Sequence, residues 1–226
     1  GLKFIDEARA AKKPFFLYLA HNAPHFPLQA PADEIAKFRG KYLADWGPLR
    51  IQRHARQVEM GLVDPAWPLA PRPEAIKAWT SLTDAEKDRF DHLMAVYAAT
   101  VARMDHAIGT LVAGLKERGE LDNTLILFLS DNGGPTRELT SSNYPLRGEK
   151  GQLLEGGIRV PYAVTWPGVT KPGSVIKTPV ISTDLTAMAL AAAGVATPVD
   201  ADGKDLRNLL VNPDAGPLHE TLYWRV

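Results

Sequence analysis

An α/β fold with a mostly parallel sheet flanked by helices is the class this sequence predicts, on three observations. Residues 15–20 and 124–129 are runs of large apolar and β-branched side chains with no charged break, each ending in polar turn residues. Such runs read as strands covered on both faces. Between them, Thr83 and Glu86 form a capping box that opens the clearest helical pattern in the chain. Phe90, Leu93, Tyr97, Val101, Met104, Ile108, Leu111 and Leu115 recur there at spacings of three and four. Strand, long helix, strand is a crossover unit, and crossovers join parallel strands.

The elements follow in order. Residues 1–13 read as the end of an amphipathic helix, with Leu2, Ile5 and Ala8 on one face and basic residues gathered before Pro14. After the first strand, Pro24, Pro27 and Pro31 keep the chain extended, and residues 33–39 form a short helical piece. Residues 40–82 are the least regular part, punctuated by prolines and by Trp46, Trp67 and Trp79, with one basic helical piece at 49–60. Tryptophans argue against disorder, so this excursion is expected to cover the mouth of a pocket. Gly119 ends the long helix. Residues 162–166 predict a third strand, and Thr183-Asp184 caps an Ala-rich helix at 185–193 that Gly194 closes. The tail from Leu218 reads as the beginning of another strand.

Composition narrows the class. The 226 residues balance 26 basic against 26 acidic side chains, which leaves no field for nucleic acid or an anionic membrane. No apolar run reaches the roughly 20 residues that span a bilayer. With no cysteine, disulfides, thiolate zinc sites and a cysteine nucleophile are excluded from this chain.

The chemistry gathers in three loops. The central run ends in Ser130, Asp131, Asn132, Gly133 and Gly134, where ligands of open α/β sheets sit. Asp131 and Asn132 place two hard oxygen donors side by side, suited to Ca²⁺ or Mg²⁺; the same residues also make an ordinary strand-capping turn. The first run leads into His21, Asn22 and His25, and the glycine-rich stretch 143–161 carries Arg147, Glu149, Lys150, Glu155 and Arg159. Brought together, these loops would set a metal beside a lysine and a histidine, a combination that suits an ester of a tetrahedral anion. His21 reads as a pocket-wall residue and Glu155 with Arg159 as a loop-fixing ion pair. His54, His92, His106 and His219 read as surface or helix-face residues.

These stretches carry a family resemblance. PFFLYLA at 14–20, APHFPLQ at 23–29, DWGPLR at 45–50, LSDNGG at 129–134, PLRGEKG at 145–151 and EGGIRVP at 155–161 stand in the order found in sulfatases. The chain resembles that family, within the alkaline-phosphatase-like superfamily, and most of all its bacterial arylsulfatases. The resemblance implies an alkaline-phosphatase-like fold and metal-assisted hydrolysis of a small-molecule sulfate ester, with export to the periplasm or beyond. It makes Asp131 and Asn132 ligands of a Ca²⁺ (or Mg²⁺), Lys150 a sulfate contact, and His25 a sulfate contact that assists the leaving group. The family's formylglycine arises from a Cys or Ser in a Cys/Ser-x-Pro/Ala-x-Arg motif, and no such motif occurs here. The chain is therefore expected to be a partial catalytic domain, incomplete at both ends, inactive alone, with residues 218–226 opening a C-terminal subdomain. Two alternatives keep the scaffold: a phosphonate monoester or phosphodiester hydrolase, and a non-catalytic metal- or anion-binding module.

Overall fold

The computed structural model describes residues 1–139 and 141–225. Counting helices and strands in chain order, the longest is α4 (Asp84–Glu117), a 34-residue helix against which much of the chain is tied. Its capping box is closed in both directions: Thr83 Oγ1 accepts the Glu86 N–H at 3.2 Å, and Glu86 Oε2 accepts the Thr83 N–H at 2.8 Å. Gly119, at φ +70°, turns the chain away where a side chain would be strained.

The N-terminal helix α1 (Leu2–Ala10) buries Ile5 and is clamped to the far end of α4 by charge. Arg118 grips both oxygens of Asp6 at 2.6 and 2.8 Å, and Arg9 meets Glu120 at 2.8 Å. The short α2 (Ala32–Ala36) packs on α4, and the turn after it is held from below. There the buried carboxylate of Asp91 accepts the N–H groups of Gly40 and Tyr42, both at 2.9 Å, and pairs with Arg39 at 2.7 Å.

The excursion at 40–82 is ordered by its tryptophans. Helix α3 (Trp46–Glu59) begins three residues before the basic helical piece expected at 49–60. Asp45 caps it by accepting the Gly47 N–H at 2.8 Å, and Pro48 is tolerated in the first turn. Trp46 meets Trp79 edge-on at 5.0 Å and Phe90 of α4 at 5.4 Å.

The sheet departs from the parallel one expected. Among the described residues it has two strands, β1 (Ile126–Leu129) and β2 (Tyr162–Thr165), running antiparallel in the register Ile126↔Thr165 to Leu129↔Tyr162. The connection explains the direction. It returns through loops and two one-turn helices, α5 (Thr136–Leu139) and α6 (Glu155–Ile158), with no long crossover helix to reverse the chain. Residues 15–20 join no ladder either. Phe15 and Leu17 are half-buried while Phe16 and Tyr18 are each 80% exposed, the alternation of a one-sided strand without a paired neighbour. The described part of the tail, through 225, is likewise unpaired.

Behind the sheet lie α7 (Asp184–Ala192) and α8 (Arg207–Val211), where Met188, Leu206 and Leu210 form a core against Leu127, Tyr162 and Val164. Thr183 makes no side-chain cap to α7. Asp184 is fully buried instead and accepts the N–H groups of Ile181 and Lys204 at 2.9 and 2.8 Å. His219, expected at the surface, lies 2.9 Å from the same carboxylate with its side chain 9% exposed. Burial pushes the Tyr162 hydroxyl up to about 12, and the Asp184 charge adds to that. No helix among the described residues is long and apolar enough to cross a membrane.

Candidate functional site

The three loops converge. His25 and Lys150, far apart in the chain, lie with Nε2 and Nζ 3.0 Å from each other. His25 Nδ1 is 2.6 Å from the Phe26 carbonyl oxygen, which only accepts, so Nδ1 carries the proton and Nε2 offers its lone pair to the Lys150 ammonium. His25 lies in the turn that follows residues 15–20, between Pro24 and Pro27, whose preceding peptide bonds are both cis.

Lys150 is placed by the glycine-rich loop. Its backbone N–H reaches the Gly134 carbonyl at 3.4 Å, joining the lysine to the turn after β1. That turn and the loop interlock through glycines. Gly133 N–H donates to Gly157 O at 2.9 Å, and a Cβ on Gly133 would collide with the Gly156 carbonyl. A Cβ on Gly156 would in turn strike the Gly148 carbonyl. The paired glycines of the two motifs are thus explained by backbone passing against backbone.

Glu149, next to Lys150, anchors the loop from inside. It is 8% exposed and accepts from Thr136 N–H and Oγ1 at 2.9 and 2.8 Å, from Arg137 N–H at 2.7 Å, and pairs with Arg137 at 2.8 Å. The Thr136 hydroxyl foremost, with these other donors, holds its carboxyl below the ordinary glutamate value. Glu149 therefore stays ionised with its oxygens turned toward α5.

Asp131 and Asn132 stand on the same turn. Asn132 Nδ2 donates to Asp131 Oδ2 at 2.9 Å, which leaves the amide oxygen and the second carboxylate oxygen as neighbouring donors. Asp131 is exposed and Asn132 half-buried. This donor set fits part of a hard-cation shell, since Ca²⁺ takes six to eight oxygens and Mg²⁺ six. Among the described residues no group of three or more His, Asp or Glu side chains is gathered to hold a metal. His21 contributes no ligand set with His25; its Nε2 is closed off from solvent without a hydrogen-bond partner.

Glu155 and Arg159 form the expected i,i+4 pair at 3.0 Å, both well exposed. Two contacts were not legible in the sequence: Arg159 lies over the Trp67 ring, 5.5 Å from its centroid, and His54 Nε2 is 2.9 Å from the Trp67 carbonyl oxygen. Neither partner pair shares a motif or a helical spacing, so nothing in the order of residues announced them.

Comparison with known proteins places this arrangement. The chain is 33% identical over 204 residues to an arylsulfatase of Klebsiella aerogenes, an alignment that takes in 75% of this chain and 44% of that protein. Its fold matches the crystal structure of the PsFucS1 sulfatase from Pseudoalteromonas sp. with a TM-score of 0.55 and 27% identity, over 93% of this chain and 32% of that one. It also matches the phosphonate monoester hydrolase SpPMH from Silicibacter pomeroyi, TM-score 0.53 and 26% identity, over 99% of this chain and 42% of the other. The chain spans less than half the length of the curated relatives it matches. The Sulfatase family model aligns with residues 1–195, through every loop of the site, and the chain belongs to that family.

Proposed function

We propose that this chain supplies the anion-gripping and part of the metal-binding machinery of a sulfuric ester hydrolase of arylsulfatase type. The observation that carries the reading is the 3.0 Å approach of Lys150 Nζ to His25 Nε2 beside the Asp131–Asn132 turn. A lysine and a histidine from distant loops meet there, so that both can turn N–H donors to one oxyanion.

Lys150 is a compact, strongly hydrated point charge with three donors, suited to one non-bridging sulfate oxygen. His25 is held by the Phe26 carbonyl so that Nε2 faces the same space. When Nε2 takes up a proton, two positive groups stand close together, and a bound sulfate relieves their repulsion by accepting hydrogen bonds from both. As the S–O bond to the leaving group breaks, the departing oxygen needs a proton, and Nε2 is positioned to give it. Asp131 and Asn132 would hold a Ca²⁺ (or Mg²⁺), which when bound neutralises charge on the sulfate oxygens. The attacking nucleophile has no candidate of the Cys/Ser-x-Pro/Ala-x-Arg type in this sequence, so the chain alone is expected to bind the ester without turning it over.

Calorimetric titration with inorganic sulfate tests this. Lys150→Ala and His25→Ala should each weaken binding by about tenfold, the range of a charge-assisted hydrogen bond. Unchanged affinity in both would remove the proposal. A second reading, hydrolysis of phosphonate monoesters, is favoured by the likeness to SpPMH across nearly the whole chain. Tighter, Lys150-dependent binding of a phenylphosphonate monoester than of phenyl sulfate would establish it instead.

A further inference from the structure

The organic half of the ester needs a site of its own, and the contact of Arg159 with Trp67 marks one. Past the strands the two chains stay tied, by Ser130 N–H to Pro161 O at 3.2 Å in the β1–β2 register and by Gly133 N–H to Gly157 O of α6 at 2.9 Å, one residue out of it. These two bonds bracket Arg159 on one side and Asp131 and Asn132 on the other, so the backbone that carries Arg159 passes the metal-pair turn. The indole arrives from the other side. Arg50 and His54, one turn apart on α3, hold the carbonyls of Ala70 and Trp67 at 2.7 and 2.9 Å. Two hydrogen bonds from one helix face thus fix the proline-rich segment that carries Trp67, and α3 is itself anchored through Trp46.

The indole is half-buried, and beside it the Arg159 and Glu155 side chains are 57% and 62% exposed. The aromatic ring is only half-buried and the ion pair beside it is exposed, so neither is part of the core. We propose that Trp67, with the Arg159–Glu155 pair, is the leaving-group subsite, taking sulfate esters whose organic part is a ring with a flat apolar face. The indole stacks on that face, while the guanidinium and carboxylate offer donors and an acceptor to groups at the ring edge. Aryl and sugar rings share this chemistry; an acyclic alkyl sulfate lacks it. The inference rests on the reading of Lys150 and His25 as the sulfate grip.

Equilibrium binding of four probes to the chain tests it: inorganic sulfate, methyl sulfate, phenyl sulfate and glucose 6-sulfate. At least one ring ester should bind about fivefold more tightly than methyl sulfate, the worth of one aromatic stacking contact. Trp67→Ala should abolish that preference and leave inorganic sulfate within about twofold of its wild-type affinity. Trp67→Phe, which keeps a stacking face, should retain most of the preference and guards against a folding artefact. Which ring ester loses affinity in Trp67→Ala identifies the source, aryl or sugar. No ring preference in the wild type, or one that persists in Trp67→Ala, overturns the subsite. Failure of the sulfate grip has a different signature: inorganic sulfate binding that survives Lys150→Ala, whatever Trp67 does.

Discussion

Gly133, Gly148 and Gly156 show how little room the site leaves its backbone. A Cβ on Gly133 would strike Gly156 of the facing loop, one on Gly156 the carbonyls of Gly148 and Arg147, and one on Gly148 the Leu154 side chain; Gly148 also sits at φ +93°. Gly133→Ala should lower stability by about 2 kcal/mol, the scale of overpacking, and weaken sulfate binding with it, because the turn and the lysine loop can no longer close. Thermal unfolding and sulfate titration on the same sample check both. At this scale His25, Asp131, Asn132 and Lys150 were legible as candidates, each in a short motif whose residue types suit oxyanion or hard-cation chemistry, and the structure brings His25 to Lys150. His219 was not. Its partner Asp184 lies in another element, and a lone histidine in a tail carries no signal of the carboxylate it will meet. The Trp67–Arg159 contact was hidden for the same reason.

Among elements, α4 was read almost to the residue, because its cap and its 3.6-residue period are both local facts. The cap makes a testable contribution. Thr83→Ala should destabilise the chain by about 1 kcal/mol, measured by denaturant unfolding. Glu86 adds a pH dependence. Its carboxyl falls from 4.5 to about 2, chiefly through the Thr83 N–H, with Lys77 and the Thr83 hydroxyl adding to that. A group whose pKa is lower in the folded state stabilises above its unfolded value and loses that stabilisation as pH falls toward the folded one. Stability should therefore decline between about pH 4.5 and 2, and Glu86→Gln should flatten part of that decline in thermal scans across the window. Strand direction, by contrast, was not legible for β1 and β2. It is set by what connects the strands, and between β1 and β2 that is loop and one-turn helix, in which apolar periodicity says nothing. Residues 15–20 have strand composition, but a strand exists only through its neighbour, and no ladder forms there.

In the whole molecule, the parts that bring the site together are those with the least regular sequence. The excursion at 40–82 is locked to α4 by Trp46, Trp79 and Phe90 at one end and reaches Arg159 at the other. Asp91 fastens the turn that leads into it. Asp91→Ala would take the buried carboxylate from the Gly40 and Tyr42 N–H groups and from Arg39 at once, and should cost about 3 kcal/mol in unfolding free energy. The central claim is that Lys150, His25, Asp131 and Asn132 form one site for an anion and a cation together. Sites that share a charge-compensated ligand pair must be coupled, and the coupling is reciprocal. The most direct measurement is sulfate binding by calorimetry, with and without Ca²⁺, in the wild type and in Asp131→Ala. Ca²⁺ should tighten sulfate binding by about fivefold or more in the wild type, at the low end of typical coupling energies, and leave Asp131→Ala unchanged. Equal sulfate affinity with and without Ca²⁺ in the wild type would contradict the claim and separate the Asp131–Asn132 turn from the site at Lys150.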